Sequence, residues 1–314
     1  MRLSRFLRHE TILAVLTVIA LIVLASLSDK FFTTENLLNQ GRLMSEVGLV
    51  ALAMTFVIVT GGIDLSVGSI LGLTAILLGV FWKNLGLPLP AAIALAMLCG
   101  TFAGWVNGYI ITRFNVPALI ATLATLALYR GLAEGISQAR SVRGYPEWFF
   151  FFGQGEVLGV PFQLWLLGIA TVIAAVVLGL TPFGRATYAI GANETAARFS
   201  GIRVNATKLW IYSAAGFLSA LAAVVFVSRV TTTRSDMGTG LELDVITGVV
   251  LGGTSIFGGR GTIIGTVLGL ILIQALKNGL ALSGVKGDGT IVVIGLVLIG
   301  AILVGALFDK NRGG

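Results

Sequence analysis

One carboxylate stands between two long apolar runs of the chain. Asp64 lies in the string Thr60-Gly-Gly-Ile-Asp-Leu-Ser-Val-Gly-Ser69, with glycines on both sides of it. A charge at the centre of a membrane costs about 3 kcal/mol on insertion scales, so such a residue faces protein or water and usually marks a functional path. The glycines allow the backbone to break or to pack closely there. Asp64, Ser66 and Ser69 are therefore candidate residues of a translocation path or gate.

The same residues have a second interpretation. Asp and Ser are favoured at helix N-termini, where a side-chain oxygen accepts a hydrogen bond from a backbone N–H group. Asp64, helped by Ser66 or Ser69, could cap the helix that follows it. A cap can also lie at a gate, so the sequence leaves both interpretations open.

Hydroxyl and amide side chains recur inside the apolar runs. Thr122, Thr125 and Tyr129 have helical spacing and share one helix face. Such a lining suits a neutral, hydroxyl-rich solute that needs only weak hydrogen bonds along its path. The alternative is hydrogen bonding between helices, worth about 0.6–2 kcal/mol per bond. The further polar candidates for the path are Asn107, Gln274 and Asn278.

The composition indicates a membrane protein. The 314 residues are 56% hydrophobic and only 11% charged, with a mean hydropathy of +0.97, whereas soluble domains carry about 25% charged residues. The apolar runs are continuous and do not alternate, which favours helices over a β-barrel. We predict an all-α membrane protein with about ten transmembrane helices, at about 11–27, 44–60, 65–82, 89–112, 116–133, 164–180, 210–227, 244–257, 262–281 and 290–308.

The net charge of +7 has a topological explanation. The basic residues are scattered in short segments between apolar runs, which fits lipid headgroups and the positive-inside rule better than nucleic-acid binding. An even number of crossings places both ends of the chain on one side. The N-terminal arginines and the basic residues of 181–209 then lie in the cytoplasm. We expect a multi-pass protein that contacts the lipid bilayer and binds no nucleic acid.

Several kinds of chemistry are excluded by missing residues. The sequence lacks the glycine-rich Lys-Ser/Thr string of a P-loop, so this chain does not hydrolyse ATP by that route. Cys99 and His9 are the only residues of their types, too few for a metal cluster or a nucleophilic triad. We expect no enzymatic activity, and no catalytic, cofactor-binding or metal-binding residue.

A glycine-rich string occurs twice at matching places. Gly61-Gly-Ile-Asp-Leu-Ser-Val-Gly68 matches Gly252-Gly-Thr-Ser-Ile-Phe-Gly-Gly259 at a constant offset, with a serine in place of the aspartate. Glycine-interrupted segments in two halves are typical of transporters built from repeats, whose path lies at the repeat junction. We predict approximate internal repeats at 44–135 and 210–308, with Ser255 as a second gate residue.

Two predicted spans carry glycines four residues apart, which fall on one helix face and let two helix backbones approach closely. Such a pattern concerns packing and not chemistry. It predicts a dense bundle. The glycines are Gly100, Gly104 and Gly108 in one span and Gly261, Gly265 and Gly269 in the other.

The polar segment 181–209 differs from the spans in composition. Asn193 can cap a short helix that begins near Glu194, and Gly201 can end it. A short helix outside the membrane, flanked by Arg198, is suited to docking a soluble partner. An ordinary interfacial helix on lipid headgroups explains the same residues equally well.

These strings together resemble the permease subunits of ATP-driven bacterial sugar importers, the ribose and rhamnose class of ABC transporters. The resemblance covers nearly the whole chain and is carried by Gly61–Ser69, by Gly191-x-Asn-x-x-Ala-Ala-x-x-Ser-Gly201-Ile and by Gly252-Gly-Thr-Ser-Ile-x-Gly-Gly-x-Gly261. It implies a single permease domain, 1–314, in two pseudo-symmetric halves with a type II ABC importer-like fold in the bacterial inner membrane. The residues that resemble the ATPase-coupling helix, within segment 181–209, are Asn193, Glu194, Ala196, Ala197, Arg198 and Gly201.

The resemblance also implies partners and a substrate. Cytoplasmic ATP-binding subunits, an extracytoplasmic sugar-binding protein and a second permease subunit would complete the transporter. The substrate would be a monosaccharide, with a preference for rhamnose or another pentose or methylpentose. Two alternatives remain, an ABC permease for branched-chain amino acids or nucleosides and an ion-coupled secondary sugar transporter. The outer segments 134–163 and 228–243 are expected to receive the binding protein.

Overall fold

The protein is built almost entirely of helices. The computed structural model describes residues 3–285 and 287–310. Within them, two short antiparallel strand pairs are formed by β1 (Val142–Arg143) with β4 (Thr232–Thr233), and by β2 (Glu156–Val157) with β3 (Val160–Pro161). The helices are, in chain order, α1 (Leu3–Leu27), α2 (Thr34–Val59), α3 (Val67–Gly79), α4 (Leu89–Arg113), α5 (Ala118–Ser137), α6 (Glu147–Gln154), α7 (Phe162–Leu180), α8 (Pro182–Ala192), α9 (Glu194–Phe199), α10 (Val204–Val230), α11 (Leu241–Leu251), α12 (Ile263–Leu282) and α13 (Gly287–Lys310).

Membrane-length helices dominate the described part of the chain. Seven of them are long and apolar enough to cross a bilayer: α2, α3 together with the π-helical turn Val80–Asn84, α4, α5, α7, α10 and α12. The prediction of an all-α, multi-pass membrane protein is therefore confirmed. A helix also lies at each of the other three predicted spans, as α1, α11 and α13.

The count of ten crossings stays a prediction, because α11 is short. It has 11 residues, or about 16 Å at 1.5 Å per residue, whereas the hydrocarbon core is about 30 Å thick. The predicted span reached residue 257, but the helix ends at Leu251. Gly253 follows with φ +88°, a left-handed conformation that glycine adopts without strain and that ends the helix.

The second span starts earlier than its hydropathy predicts. The sequence predicts the second span at about 44–60, yet α2 begins at Thr34. The Thr33 hydroxyl oxygen accepts a hydrogen bond from the Asn36 N–H group at 3.4 Å, and Glu35 lies in the first turn. Both features stabilise a helix N-terminus, so capping sets this boundary.

Helices α2 and α10 form the centre of the bundle, and α10 packs on α4, α2 and α3. At the crossing with α4, a Cβ atom at Gly104 would overlap the carbonyl oxygen of Tyr212 and lie 2.8 Å from the Cα atom of Gly216. At the crossing of α11 with α12, a Cβ atom at Gly265 would overlap the carbonyl oxygen of Gly252. The close backbone approach predicted from glycine spacing is present at both crossings.

Helix α10 separates two ends of the molecule. It has 27 residues, or about 40 Å at 1.5 Å per residue, enough to cross the bilayer. Helix α9 precedes its N-terminus, and β4 follows its C-terminus. The two segments expected on the outside meet at this second end, because β1 pairs with β4.

We expect Gly104→Ala to destabilise the protein by about 1–3 kcal/mol, because an added methyl group has no room at the α4–α10 crossing. Gly131→Ala on α5 is the matched control, since a Cβ atom there meets nothing within 4 Å; it should be neutral or gain up to about 1 kcal/mol of helix propensity. Thermal unfolding in detergent compares the two. Equal melting temperatures would contradict the packing described here.

Candidate functional site

Asp64 lies in the buried loop between α2 and α3, with 0% of its surface exposed. Its Oδ1 atom accepts two hydrogen bonds from Ser66, one from the backbone N–H group at 2.9 Å and one from the hydroxyl group at 2.6 Å. The Ser69 hydroxyl group donates to the carbonyl oxygen of Ser66 at 2.7 Å. Ser66 is the residue before α3 and makes no side-chain cap bond. Asp64 therefore fixes the turn that leads into α3, close to the capping role that the sequence suggested.

Asn107 on α4 joins this loop to two other helices. Its Nδ2 atom donates to the Ser66 hydroxyl oxygen at 2.7 Å. The Tyr129 hydroxyl group, on α5, lies 3.4 Å from Asn107 Oδ1 and donates to the carbonyl oxygen of Ala103 at 2.9 Å. The chain of hydrogen bonds thus runs from the loop through α4 to α5.

The threonines of α5 complete the cluster. Thr122 donates from its hydroxyl group to the carbonyl oxygen of Ile63 at 3.1 Å and to that of Ala118 at 2.9 Å. The Thr125 hydroxyl group donates to the Thr122 carbonyl oxygen at 3.3 Å. The structure therefore brings together seven of the ten residues predicted for the path or gate: Asp64, Ser66, Ser69, Asn107, Thr122, Thr125 and Tyr129. We call these residues the Asp64 cluster.

Gln274 and Asn278 lie elsewhere. Gln274 Nε2 on α12 donates to Gln40 Oε1 on α2 at 2.6 Å, and Asn278 follows one turn later on α12. Gln40 is 19 residues before the end of α2, or about 28 Å from the end that leads to Asp64. In this arrangement Gln274 ties two helices together, as the alternative interpretation expected, and is not part of the Asp64 cluster.

Ser255 occupies a turn in the second glycine-rich string. It is half-buried. Its Oγ atom accepts a hydrogen bond from the Phe257 N–H group at 3.3 Å, and its own N–H group donates to the carbonyl oxygen of Arg260 at 3.0 Å. The second string does contact the first, since a Cβ atom at Gly258 would lie 2.9 Å from the Gly61 nitrogen; the Gly259 N–H group also donates to the carbonyl oxygen of Val59, just before the first string, at 2.8 Å. The two strings that match in sequence are therefore neighbours in space.

Tyr212 is a buried neighbour of this site that the sequence did not reveal. It lies on α10, is 1% exposed, and a Cβ atom at Gly62 would be 2.5 Å from its hydroxyl oxygen. Within the described part of the chain, neither this hydroxyl group nor Asp64 Oδ2 has a hydrogen-bond partner. Position 62 therefore holds a glycine because a side chain there would collide with the Tyr212 hydroxyl group. A single tyrosine in an apolar run does not predict this contact.

The helix predicted in the polar segment is present as α9. The Asn193 side chain accepts a hydrogen bond from the Ala196 N–H group at 2.9 Å, and Gly201 ends the helix region with φ +80°. Ala197 is buried against Ile190 of α8 and Val204 of α10. One face of α9 is therefore fixed to the bundle, while its other face is exposed.

Ion pairs hold Glu194 at the start of α9. Its carboxylate contacts Arg198 at 2.8 Å and Lys208 at 2.5 Å. Partial burial acts to raise the pKa of Glu194, but the hydrogen bonds from Lys208 and Arg198 outweigh it and lower the pKa below its ordinary value. The carboxylate is therefore charged at neutral pH. Arg198 also donates to Asn205 at 2.7 Å, which connects α9 to the start of α10.

Phe199 is a second residue that the sequence did not single out. It is the last residue of α9, and 89% of its surface is exposed. Four basic residues and one acidic residue surround it in the segment 181–209. Its ring is therefore free to contact a partner protein or lipid headgroups.

A cavity lined by both polar and apolar residues opens at the other end of the molecule. Its volume is about 370 Å³, within the range of small-molecule sites. Glu46 on its wall makes a two-pronged ion pair with Arg229, at 2.7 and 3.0 Å, and Arg130 fixes the adjoining loop by donating to Ser235 at 2.6 Å. The polar residues that line the cavity are Glu46, Thr232, Arg234, Asp236, Thr239 and Asp244.

The fold and the site are those of a membrane permease. The protein is a polytopic helical bundle with the polar Asp64 cluster at a helix break and with the short, exposed helix α9 outside the membrane-length helices. Comparison with protein families matches residues 36–307 to the family described as "Branched-chain amino acid transport system / permease component". The chain belongs to this family, which confirms the predicted ABC importer permease, a multi-pass inner-membrane protein. No solved structure matches the chain.

Several relatives are named as sugar permeases. The chain is 44% identical over 296 residues to the ribose import permease protein RbsC of Bacillus subtilis (strain 168), covering 94% of this chain and 90% of the relative. It is 40% identical over 297 residues to RbsC of Escherichia coli (strain K12), with 93% and 91% covered. It is also 38% identical over 285 residues to the autoinducer 2 import system permease protein LsrD of Escherichia coli O9:H4 (strain HS), with 89% and 86% covered.

We expect Asp64→Ala to cost about 1–3 kcal/mol of stability, because the Ser66 N–H group loses its buried acceptor. Asp64→Asn retains an oxygen acceptor and should keep the melting temperature close to that of the unchanged protein. Sugar uptake by the complete transporter then separates the two interpretations of Asp64. If Asp64 is part of the path, we expect reduced uptake in the Asn variant. Undiminished uptake would mean that Asp64 only stabilises the turn before α3.

Proposed function

We propose that this chain is the permease subunit of an ATP-driven importer of a monosaccharide, with a pentose as the preferred substrate class. The family membership and the sugar-named relatives support the class. Ribose, the sugar in two of those names, is a pentose. The preference for rhamnose stays a prediction, and the second candidate is the ligand named in the autoinducer 2 relative.

The observation that carries the proposal is the exposed surface of α9. This surface combines a capped, ion-paired helix with the exposed ring of Phe199. Since the sequence has no P-loop of its own, an ATP-driven importer needs a partner that hydrolyses ATP. In this proposal α9 is the coupling helix that docks on the cytoplasmic ATP-binding subunit, through Glu194, Ala196, Arg198 and Phe199.

The cavity at the outer end, beside the Glu46–Arg229 ion pair, is the proposed entry point of the sugar. Carboxylate and hydroxyl groups on its wall, such as Asp244, Thr232 and Thr239, suit the hydroxyl groups of a monosaccharide. The hydrogen-bonded outer segments around β1 and β4 would receive the sugar-binding protein. The Asp64 cluster then forms the inner constriction, and the partners favour different states of the permease by binding them with different affinity.

Docking by α9 predicts that Phe199→Ala weakens association with the ATP-binding subunit by about 2 kcal/mol or more, the range of an interface anchor. Co-purification of that subunit from membranes, together with sugar-stimulated ATPase activity, measures the loss. Leu158→Ala is the matched control for co-purification alone, because Leu158 is also 89% exposed but lies in the β2–β3 turn at the outer end, away from a cytoplasmic subunit.

The charged residues of α9 give a second measurement of the same surface. Glu194→Ala combined with Arg198→Ala should uncouple ATP hydrolysis from uptake, since the helix loses its ion pairs and its charged face. If uptake and stimulated ATPase activity both survive in this double variant and in Phe199→Ala, α9 is an ordinary interfacial helix.

The substrate class predicts the pattern of competition. In proteoliposomes that contain all subunits and the binding protein, radiolabelled ribose should enter only with ATP. Unlabelled ribose should compete, while leucine and a nucleoside should not. Competition by rhamnose or by autoinducer 2 would reassign the substrate. Uptake by the chain alone under an ion gradient would replace the proposal with a secondary transporter.

A further inference from the structure

Three backbone segments meet without side chains between them at the end of α8. A Cβ atom at Gly191 would overlap both the carbonyl oxygen of Val59 and the nitrogen of Gly259. A Cβ atom at Gly258 would lie 2.9 Å from the Gly191 carbonyl oxygen and 2.9 Å from the Gly61 nitrogen. The last turn of α8 is thus in direct contact with the second glycine-rich string and with Val59, the residue just before the first string, and the two strings touch each other at Gly258 and Gly61. We call this contact the glycine junction.

A hydrogen bond reinforces the junction. The Tyr188 hydroxyl group on α8 donates to the carbonyl oxygen of Gly261 at 2.7 Å. The ring of Phe183, at the other end of α8, packs against Phe56 of α2 with ring centroids 6.4 Å apart. Helix α8 therefore contacts α2 near both ends of α8, through Phe183 at one end and Gly191 at the other. Tyr188 also connects α8 to the second glycine-rich string.

The same helix continues into α9 with almost no slack. Asn193 alone separates them, serving as the last cap of α8 and the first cap of α9. Ile190, Ala197 and Val204 form one buried cluster that holds α8, α9 and the start of α10 together. A displacement of α9 must therefore move Gly191, because no flexible linker lies between them.

We infer that α8 is the transmission element of the permease, and that Gly191 and Tyr188 are the positioning residues through which movement of α9 reaches the second glycine-rich string directly and the first string through Val59 and the Gly258–Gly61 contact. This rests on the proposed coupling role of α9. Backbone atoms in van der Waals contact cannot be compressed, so α8 shifts the second string and the end of α2 together or loses contact with them. One of these strings carries Asp64, which links the junction to the Asp64 cluster.

Tyr188→Phe tests the inference with the smallest change. It removes the hydroxyl group and keeps the ring. In proteoliposomes of the complete transporter, the ratio of sugar imported to ATP hydrolysed should fall about fivefold, the factor that corresponds to one hydrogen bond of about 1 kcal/mol. Tyr109→Phe on α4, whose ring is exposed, is the control and should leave the ratio unchanged.

Gly191→Ala tests the contact itself. It should lower the ratio further, because a methyl group cannot enter the junction. Gly179→Ala on α7 is the matched control, since a Cβ atom there meets nothing within 4 Å. Melting temperatures are measured for every variant, and Tyr188→Phe remains decisive if Gly191→Ala does not fold.

The outcomes separate this inference from the proposal on which it rests. Ratios that fall for Tyr188→Phe, with the melting temperature kept, support transmission through α8. An unchanged ratio, or import and hydrolysis that fall equally, would leave Tyr188 a purely structural residue and overturn the inference. If Phe199→Ala still weakens binding of the ATP-binding subunit, the proposed coupling role of α9 survives that result; if binding is unchanged, that coupling role fails first.

Discussion

Direct contact between helix backbones is the constraint on which this bundle depends. Lipid offers no hydrophobic driving force between helices, so close packing and interhelical hydrogen bonds must hold them together. Glycine makes this possible where α4 crosses α10 and where α11 crosses α12. Polar side chains can then reach across the narrow gaps, as Asn107 does to Ser66. The polar cluster at the helix break therefore exists because the backbones around it are so close.

The buried carboxylates of Asp64 and Glu46 are stabilised in different ways. Asp64 has no exposed surface, and its loop is stabilised by donors from its own turn. Glu46 is instead matched by the guanidinium group of Arg229 on another helix, so this carboxylate has a cationic partner as well as hydrogen bonds. The first arrangement fixes a local turn, whereas the second fixes two helices relative to each other.

Sequence reasoning found the helices because a bilayer demands long apolar segments, whatever the fold. It predicted Asn107, Thr122 and Gln274 for one path, but the structure brings only the first two together with Asp64, because helical spacing shows which residues share a face and not which helix that face meets. Their role in the path stays a prediction. The contacts of Tyr188 with Gly261 and of Tyr212 with Gly62 could not be predicted, because the residues of each pair are distant in sequence. The start of α2 was missed because a threonine cap, and not hydropathy, determines it.

The ring of Phe199 also bears on how the subunit is made. A fully exposed aromatic side chain forfeits about 1.5–3 kcal/mol of burial free energy, and this one is 89% exposed. If α9 docks as proposed, assembly would cover this ring, and a subunit without its partner would leave it exposed. Unassembled and assembled subunits would then differ in one exposed aromatic side chain, a difference that chaperones and proteases can act on.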